Sequence, residues 1–397
     1  MQIFTFPVGI EFAHQKGLPI FTNQFPSLKT TRKILKVIFL SLLFLIVMTA
    51  ILINTTPVQN WLVKAVTHRL SKDLHTKVAL RHVNFTLFNK MNLEGVYVED
   101  QQKDTLLYAG KIMVNITDWF FFKEQAELKY IGLEDATIYL HRVDSVWNYQ
   151  FLADYFSSPP SAQNKKQIIL SLNEISLKNI HVKHRDEWRG QDMELDLQQL
   201  ALKADEINFT KKLVNITSLE MDEPVFTIYD YAGRRPKLPI PAAGNIIKNT
   251  LAKPFNAAGW RLLISELTLT NGVFKSNRDV QRKIYDYFDA SRIHFYAING
   301  VFKKVALVQD TLFANIRLST KERSGFAVKS LTSSFRMQPG AMIFDSLDIK
   351  TPYSHLTHYY AMRYNDFNDD MSDFISHVKL EGRFKNSTLH STDIAFF

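Results

Sequence analysis

Residues 111–117 read KIMVNIT and residues 192–198 read DMELDLQ. In the first, Ile112, Val114 and Ile116 alternate with Lys111, Met113, Asn115 and Thr117; in the second, Met193, Leu195 and Leu197 alternate with Glu194, Asp196 and Gln198. Successive side chains of an extended chain point to opposite faces, so each stretch is a strand with one apolar side. The same period of two recurs from Lys77 to the last residues, through Leu267 and Leu269 and on to a final run over 374–384. About 15 such runs predict a mainly β protein whose strands pair mostly antiparallel. Helical patterns are too few to cover so much apolar surface. The apolar face must therefore meet a second sheet, close as a barrel, or remain as an apolar groove.

A repeat runs through the strands. Leu133, Leu177, Met221 and Leu269 each close an apolar run that meets Asp or Asn, with Gly or Pro nearby, before the strand resumes (LEDATIYL, LKNIHV, MDEPVFTI and LTNGVF). The recurrence predicts a turn or bulge at one repeated place. Two breaks interrupt the pattern. SSPPSAQNKK (157–166) reads as a linker-like loop, and RRPKLPIPAAG (234–244) leads into a short helix near 245–251.

At the other end, Val37 to Ile53 carries no charge, and extension back to Ile34 makes 20 residues interrupted only by Lys36, which can snorkel. That length spans a bilayer. Lys29, Arg32, Lys33 and Lys36 precede it and no cation follows before Lys64, which puts the N-terminus in the cytoplasm and the bulk outside. The run is too long for a signal-peptide core and its end lacks an A-x-A site, which favours an uncleaved single-pass anchor. Beyond it, Val58, Leu62, Val66, Leu70 and Leu74 keep helical spacing after Pro57, an amphipathic helix. The predicted organisation is an N-terminal extension over 1–33, an anchor over 34–53, a membrane-proximal amphipathic helix over 54–76 and a β domain over 77–397.

The composition removes whole classes of function. There is no Cys, which excludes disulfides, thiolate metal sites and a Cys nucleophile. The net charge is +9, of which +4 lies in the first 53 residues (five cations against Glu11), so the remainder is mildly basic and carries no phosphate-tracking cluster; nucleic acid is not an expected partner. No G-x-S-x-G, H-E-x-x-H or Gly-rich phosphate loop occurs, so no catalytic residue, metal site or cofactor is assigned. His181 with His184, and His355 with His358, are three apart, and on a strand they face opposite ways. Asp366, Asn368 and Asp370 imitate the start of a calcium loop, but Met371 replaces its Gly and His377 its final Glu, which leaves a polar turn.

The anchor, the helix TPVQNWLVKAVTHRLSKDL, and the segments VALRHVNFTLFNKMNLEGVYVED, DTLLYAGKIMVNITDWFFF, LEDATIYLHRVDSVWNYQFL, LSTKERSGF and YYAMRYNDFNDDMSDFISHVKLEGRFKNS follow one another in an order that resembles the AsmA-like superfamily. The likeness is strongest to TamB-type translocation and assembly module proteins of Bacteroidetes-like bacteria, and it runs from about Lys33 to the end. It implies an inner-membrane anchor, a periplasmic β domain whose long twisted sheet curls into an apolar groove, and phospholipid transport toward the outer membrane. It also implies a link to an outer-membrane barrel assembly protein, with a scaffold or chaperone role for barrel proteins as the alternative. A membrane-tethered hydrolase is a lesser one. Proteins of this kind are several times longer, so the chain is expected to be an N-terminal fragment with an unpaired strand near 374–384. The expected lining is Ile112, Val114, Ile116, Met193, Leu195, Leu197, Leu267 and Leu269, a non-enzymatic surface on which phospholipid and the inner membrane are the partners.

Overall fold

The computed structural model describes residues 28–53, 55–86, 90–116, 126–157, 168–236, 254–367, 370 and 374–396. They form two units, one ending at Ile53 and one beginning at Asn54. In the first, helix α1 covers Leu28–Ile53. Its described large apolar side chains between Leu35 and Leu52 are 41–68% exposed. Among the described residues no helix is long and apolar enough to cross a membrane. Residues 1–27 and the side chains of residues 28–32, 34, 46, 49, 50 and 53 lie outside the described set, so the run expected to span a bilayer, 34–53, is described only in part.

The second unit opens with α2 (Thr56–Leu74), started by Pro57 and ended by His75 in the left-handed conformation. Its buried residues Leu62 and Val66 turn toward the first strands, β1 (Val78–Ala79) and β2 (His82–Thr86). The remaining strands are β3 (Lys90–Glu99), β4 (Thr105–Ile116), β5 (Ala126–Arg142), β6 (Ile168–Asp186), β7 (Gln191–Asn208), β8 (Leu213–Asp222), β9 (Val225–Asp230) and β10 (Arg261–Arg278). There follow β11 (Arg292–Val308), β12 (Thr311–Glu322), β13 (Ala327–Gln338), β14 (Ala341–Lys350), β15 (His355–Arg363) and β16 (Lys379–Phe384). Short helices α3 (Gln150–Ser157), α4 (Phe374–His377) and α5 (Ser391–Ile394) sit between or after them.

All 16 strands belong to one sheet, hydrogen-bonded in the order β1, β3, β4, β5, β6, β7, β8, β10 and then consecutively to β16. β2 shares the outermost position with β1 on β3, and β9 shares the β8 position between β7 and β10. The 14 positions, at about 4.8 Å each, give a sheet about 67 Å across, close to the roughly 70 Å that 15 strands imply. Two joints are parallel: β5 with β6, and β10 with both β8 and β9. Parallel neighbours need a crossover of a dozen or more residues, and the crossovers here fall on the two breaks read from the sequence. Most of each break, including the helix expected near 245–251, lies outside the described residues.

The repeated turn is a crease. Two residues after each marker leucine or methionine, Asp135, Asn179, Glu223 and Asn271 all adopt left-handed backbone, with φ of 48–53°. Asp and Asn tolerate this conformation best, which explains the sequence signature. The creases of neighbouring strands meet: Asn179 donates to the Asp135 carboxylate at 2.7 Å and Asn271 to that of Glu223 at 3.1 Å. Pro224 follows Glu223 and has no N–H to give a ladder, so one strand is divided there into β8 and β9. At each crease the alternation of side chains slips by one, so that Leu133 and Ala136, an odd and an even position, join the same core cluster.

One prediction at the end of the chain is corrected. Residues 374–384 are not one strand, because α4 takes Phe374–His377 and only Lys379–Phe384 pairs, with β15. The potential calcium loop, read from the sequence as a polar turn, is helical at its described residues Phe367 and Asp370: the Asp370 amide donates to the Asp366 carbonyl at 2.9 Å, and the buried Asp370 carboxylate accepts the amide hydrogens of Asn365 and Asp366 at 2.5 and 3.2 Å. Residues 368, 369 and 371–373 lie outside the described set.

Candidate functional site

The register of the sheet places side chains of matched chemistry side by side along its whole width. Starting in β2, one row runs Val83, Leu93, Ile112, Leu133, Leu177, Leu200 and Met221. It continues through Leu269, Gly300, Leu318, Leu331 and Ile349 to Leu356 in β15. Gly300 alone interrupts the apolar series, and a Cβ there would stand 2.9 Å from the Phe302 ring, so the gap is occupied by an aromatic neighbour. The next row carries Met91, Val114, Ile131, Ile175, Leu202, Leu219, Leu267, Phe302 and Ile316. Across the crease, Leu107, Ile138, Val182, Leu195, Phe226, Phe274 and Phe295 form a third.

The opposite face is polar in the same orderly way. Glu94, Lys111, Glu134, Lys178, Gln199, Asp222 and Thr270 make one row, with Lys111 3.6 Å from Glu134. Alternating charge across strands contributes a fraction of a kcal/mol per exposed pair and keeps this side in water.

Each expected lining residue has a place in this pattern. Ile112 and Leu269 share the first row, and Val114 and Leu267 the second. Leu195 is in the third, Leu197 lies opposite Ile180, and Met193 lies between His184 and Ile228. Val114 and Leu197 are buried, Ile112, Leu195 and Leu267 pack against core clusters, and Met193 and Leu269 are half-buried. Ile116 is paired in register with Leu128, but its side chain is outside the described residues. Sequence reading missed most of the other row members. The repeat signal could have supplied Leu177 and Met221, whose spacing from Leu133 is the spacing of the creases.

No second layer covers this face throughout. Among the described residues every strand belongs to this one sheet, and no separate second sheet is present. Among the described residues, two helices add cover: α2 lies on β1 and β2, and α3 lies on β6 with Phe151 and Leu152 against the large cluster. Beyond β9 the face carries half-buried aromatics, such as the stacked Phe226–Phe274 pair at 6.2 Å and the tilted Phe335–Phe344 pair at 5.0 Å.

Several polar groups within the apolar face are satisfied. The fully buried Glu322 carboxylate accepts the amide hydrogens of His294 at 3.1 Å and Ser324 at 2.7 Å. Burial pushes its carboxyl up, but these hydrogen bonds more than offset that and leave it below the usual range. Ser333 donates to the Asp345 carbonyl at 2.7 Å and Thr320 to that of Tyr296 at 3.1 Å. His184, whose buried Nδ1 has no hydrogen-bond partner among the described residues, lies tilted against Trp147 with ring centroids 4.3 Å apart and is pushed down by burial, while His181, on the other face, pairs with Asp196.

The rim at the ends of β5, β6 and β10 is pinned by two similar pairs. Arg142 grips Asp186 at 2.8 and 2.7 Å beneath Trp147, and Arg282 grips Asp289 at 2.8 and 2.7 Å beneath Tyr285. The Arg282 guanidinium, together with Ser291 and backbone amides, holds the Asp289 carboxyl far below its ordinary value despite burial. Nearby on the polar side, a cavity of about 360 Å³ is lined by Arg185, Glu187, Asp192, Tyr231, Ala232 and Arg234. Its charges are paired, Arg185 with Asp192 at 2.9 Å and Arg234 with Glu187 at 2.7 Å, and Tyr231, pushed up to about 12 by burial and by Asp192, donates to that carboxylate. Asp100, Asp104 and His141 also cluster, but both Asp100 oxygens are engaged, by the Gln102 and Asp104 amides at 2.9 Å and by Asn148 at 3.1 Å. Comparison with protein-family models and with curated proteins finds no match.

Proposed function

We propose that this chain is a membrane-anchored carrier surface for phospholipid. In this reading α1 spans the inner membrane with its N-terminus in the cytoplasm, the sheet stands in the periplasm, and its creased apolar face curls into a groove that passes lipid toward the outer membrane. The reading keeps the AsmA-like, TamB-type resemblance as its family proposal. The observation that supports it is the apolar row from Val83 to Leu356, in a structure whose described strands all belong to one sheet.

The energetics suit a carrier. Each methylene moved into water costs about 0.8 kcal/mol, so a bare acyl chain of 14 methylenes faces about 11 kcal/mol. An apolar face removes that penalty without adding directional bonds, so lipid can enter and leave at small net cost. No catalytic group takes part.

Native mass spectrometry of the detergent-extracted full chain tests the proposal. Phospholipid adducts are expected, and they should be lost on Leu267→Glu with Phe302→Glu, which charge the second row. A chain free of lipid in every preparation contradicts it. A second reading, a scaffold for barrel proteins, draws on β16: among the described residues it pairs with β15 alone, so its other edge can accept a strand. That reading requires protein adducts from β16 in place of lipid adducts from the rows.

A further inference from the structure

The outward side of α2 combines an exposed aromatic with cations that no acid of the helix pairs. Leu62 and Val66 bury themselves toward the strands, which leaves Trp61, Lys64, His68 and Lys72 on the opposite side, at helical spacings of three and four. Trp61 is 56% exposed, and the other three are exposed as well. Within α2 the single carboxylate is Asp73, which lies 3.7 Å from Arg69, so no acid of the helix neutralises Lys64 or Lys72. The helix begins three residues after Ile53, where the apolar run of the anchor stops.

We infer that this face of α2 lies on an anionic phospholipid surface, with Trp61 at headgroup level and Lys64 and Lys72 against lipid phosphates. An indole prefers the boundary between headgroup and acyl chain, and a lysine near an anionic leaflet is attracted electrostatically, which together are the marks of an interfacial helix. The same helix then has two partners at once, lipid on one side and β1 and β2 on the other. The apolar row that starts at Val83 consequently opens at the membrane surface, which is where a lipid would board it. The membrane is chosen over a protein partner because the face is narrow and basic, carries one aromatic, and is tied by two residues of chain to the run read as the anchor. The inference rests on that anchor reading and gives it a geometry.

The absence of Cys makes the test clean, since one introduced thiol is the only one. The full chain is reconstituted in nanodiscs of zwitterionic lipid with and without phosphatidylglycerol, carrying a nitroxide on His68→Cys, Phe44→Cys or, as a water-exposed reference, Gln198→Cys. Oxygen and nickel-chelate accessibilities then report depth. The label at 68 is expected to be shielded from the nickel chelate in phosphatidylglycerol discs, and to regain the accessibility of the reference when Lys64→Glu and Lys72→Glu are added. A label at 68 as water-exposed as the reference in all discs overturns the inference. The label at 44 reports the anchor separately: buried while 68 is in water, it spares the anchor and rejects the interfacial helix. Exposed while 68 is shielded, it rejects the anchor and keeps the helix on the lipid.

Discussion

The strands from β1 to β7 and those from β10 to β16 share a sheet, a crease and an apolar face, yet they bury that face differently. In the first region Val83 and Ala109 are 0% exposed and Leu106 is 2%, because α2 and α3 add a layer over strands that already pack side by side. In the second region many apolar residues, such as Phe302, Met337 and Met342, are half-buried, and the core cluster confined to it is small, made of Ala341, Ile343 and Ala361. A pleated sheet shields one face only in part through neighbouring side chains, and complete burial needs a second layer. The first region is where the unit is stabilised. The second holds the uncovered apolar surface that the proposed function requires.

Truncations separate the two most widely. Leu106→Ala should cost about 2–5 kcal/mol, read as a fall in the denaturation midpoint, because it empties a closed site. Phe302→Ala should cost much less stability and remove more lipid from the chain in native mass spectra. Equal destabilisation by the two would erase the distinction. The rim pins should not follow it. Asp186→Asn and Asp289→Asn each strip a bidentate partner from an arginine and should each cost about 1–3 kcal/mol, in the covered and the open region alike.

Smaller effects sharpen the picture. A β-branched side chain resists left-handed backbone, so Asn179→Val in the covered region and Asn271→Val beside the open one should each lose about 1–2 kcal/mol in thermal unfolding. A loss confined to Asn179 would mean that the crease matters only under the helices. The least effect is that of pH. His184 and His294, one in each region, are both pushed down by burial, so the unfolded chain takes up their protons first. Their contribution is complete above about pH 6.5 and declines as pH falls through that value. Melting temperature should fall slightly from pH 7.5 to 5.5. A steeper loss is expected below about pH 4, where the depressed carboxyls of Asp186, Asp289 and Glu322 begin to take up protons in the unfolded chain.

Much of this was legible in the residues. The alternation around Val114 and Leu195 revealed strands and their apolar side, and the spacing from Leu133 through Leu177 and Met221 to Leu269 located the crease. Local pattern could not show that β5 and β6 are parallel, because strand direction depends on where a crossover lands; the sequence showed only the two breaks. Nor could it show that Pro224 divides one strand position into β8 and β9, or that residues 374–377 turn helical before the last strand. The apolar rows were foreseen only in part. Their members lie on different strands, and a row such as Leu202, Leu219 and Leu267 becomes visible only with the register. The partial cover by α2 and α3, which sets the two regions apart, depends on contacts that no periodicity encodes.

Light-activated crosslinking from two adjacent positions of β10 tests the central claim most directly. A photoreactive phenylalanine analogue at Leu267 faces the apolar rows, and one at Thr268 on the same strand faces the other way. In full-length protein illuminated within cells, phospholipid adducts are expected from position 267 and not from 268. Adducts equal at both positions, or protein adducts alone from 267, would contradict the account.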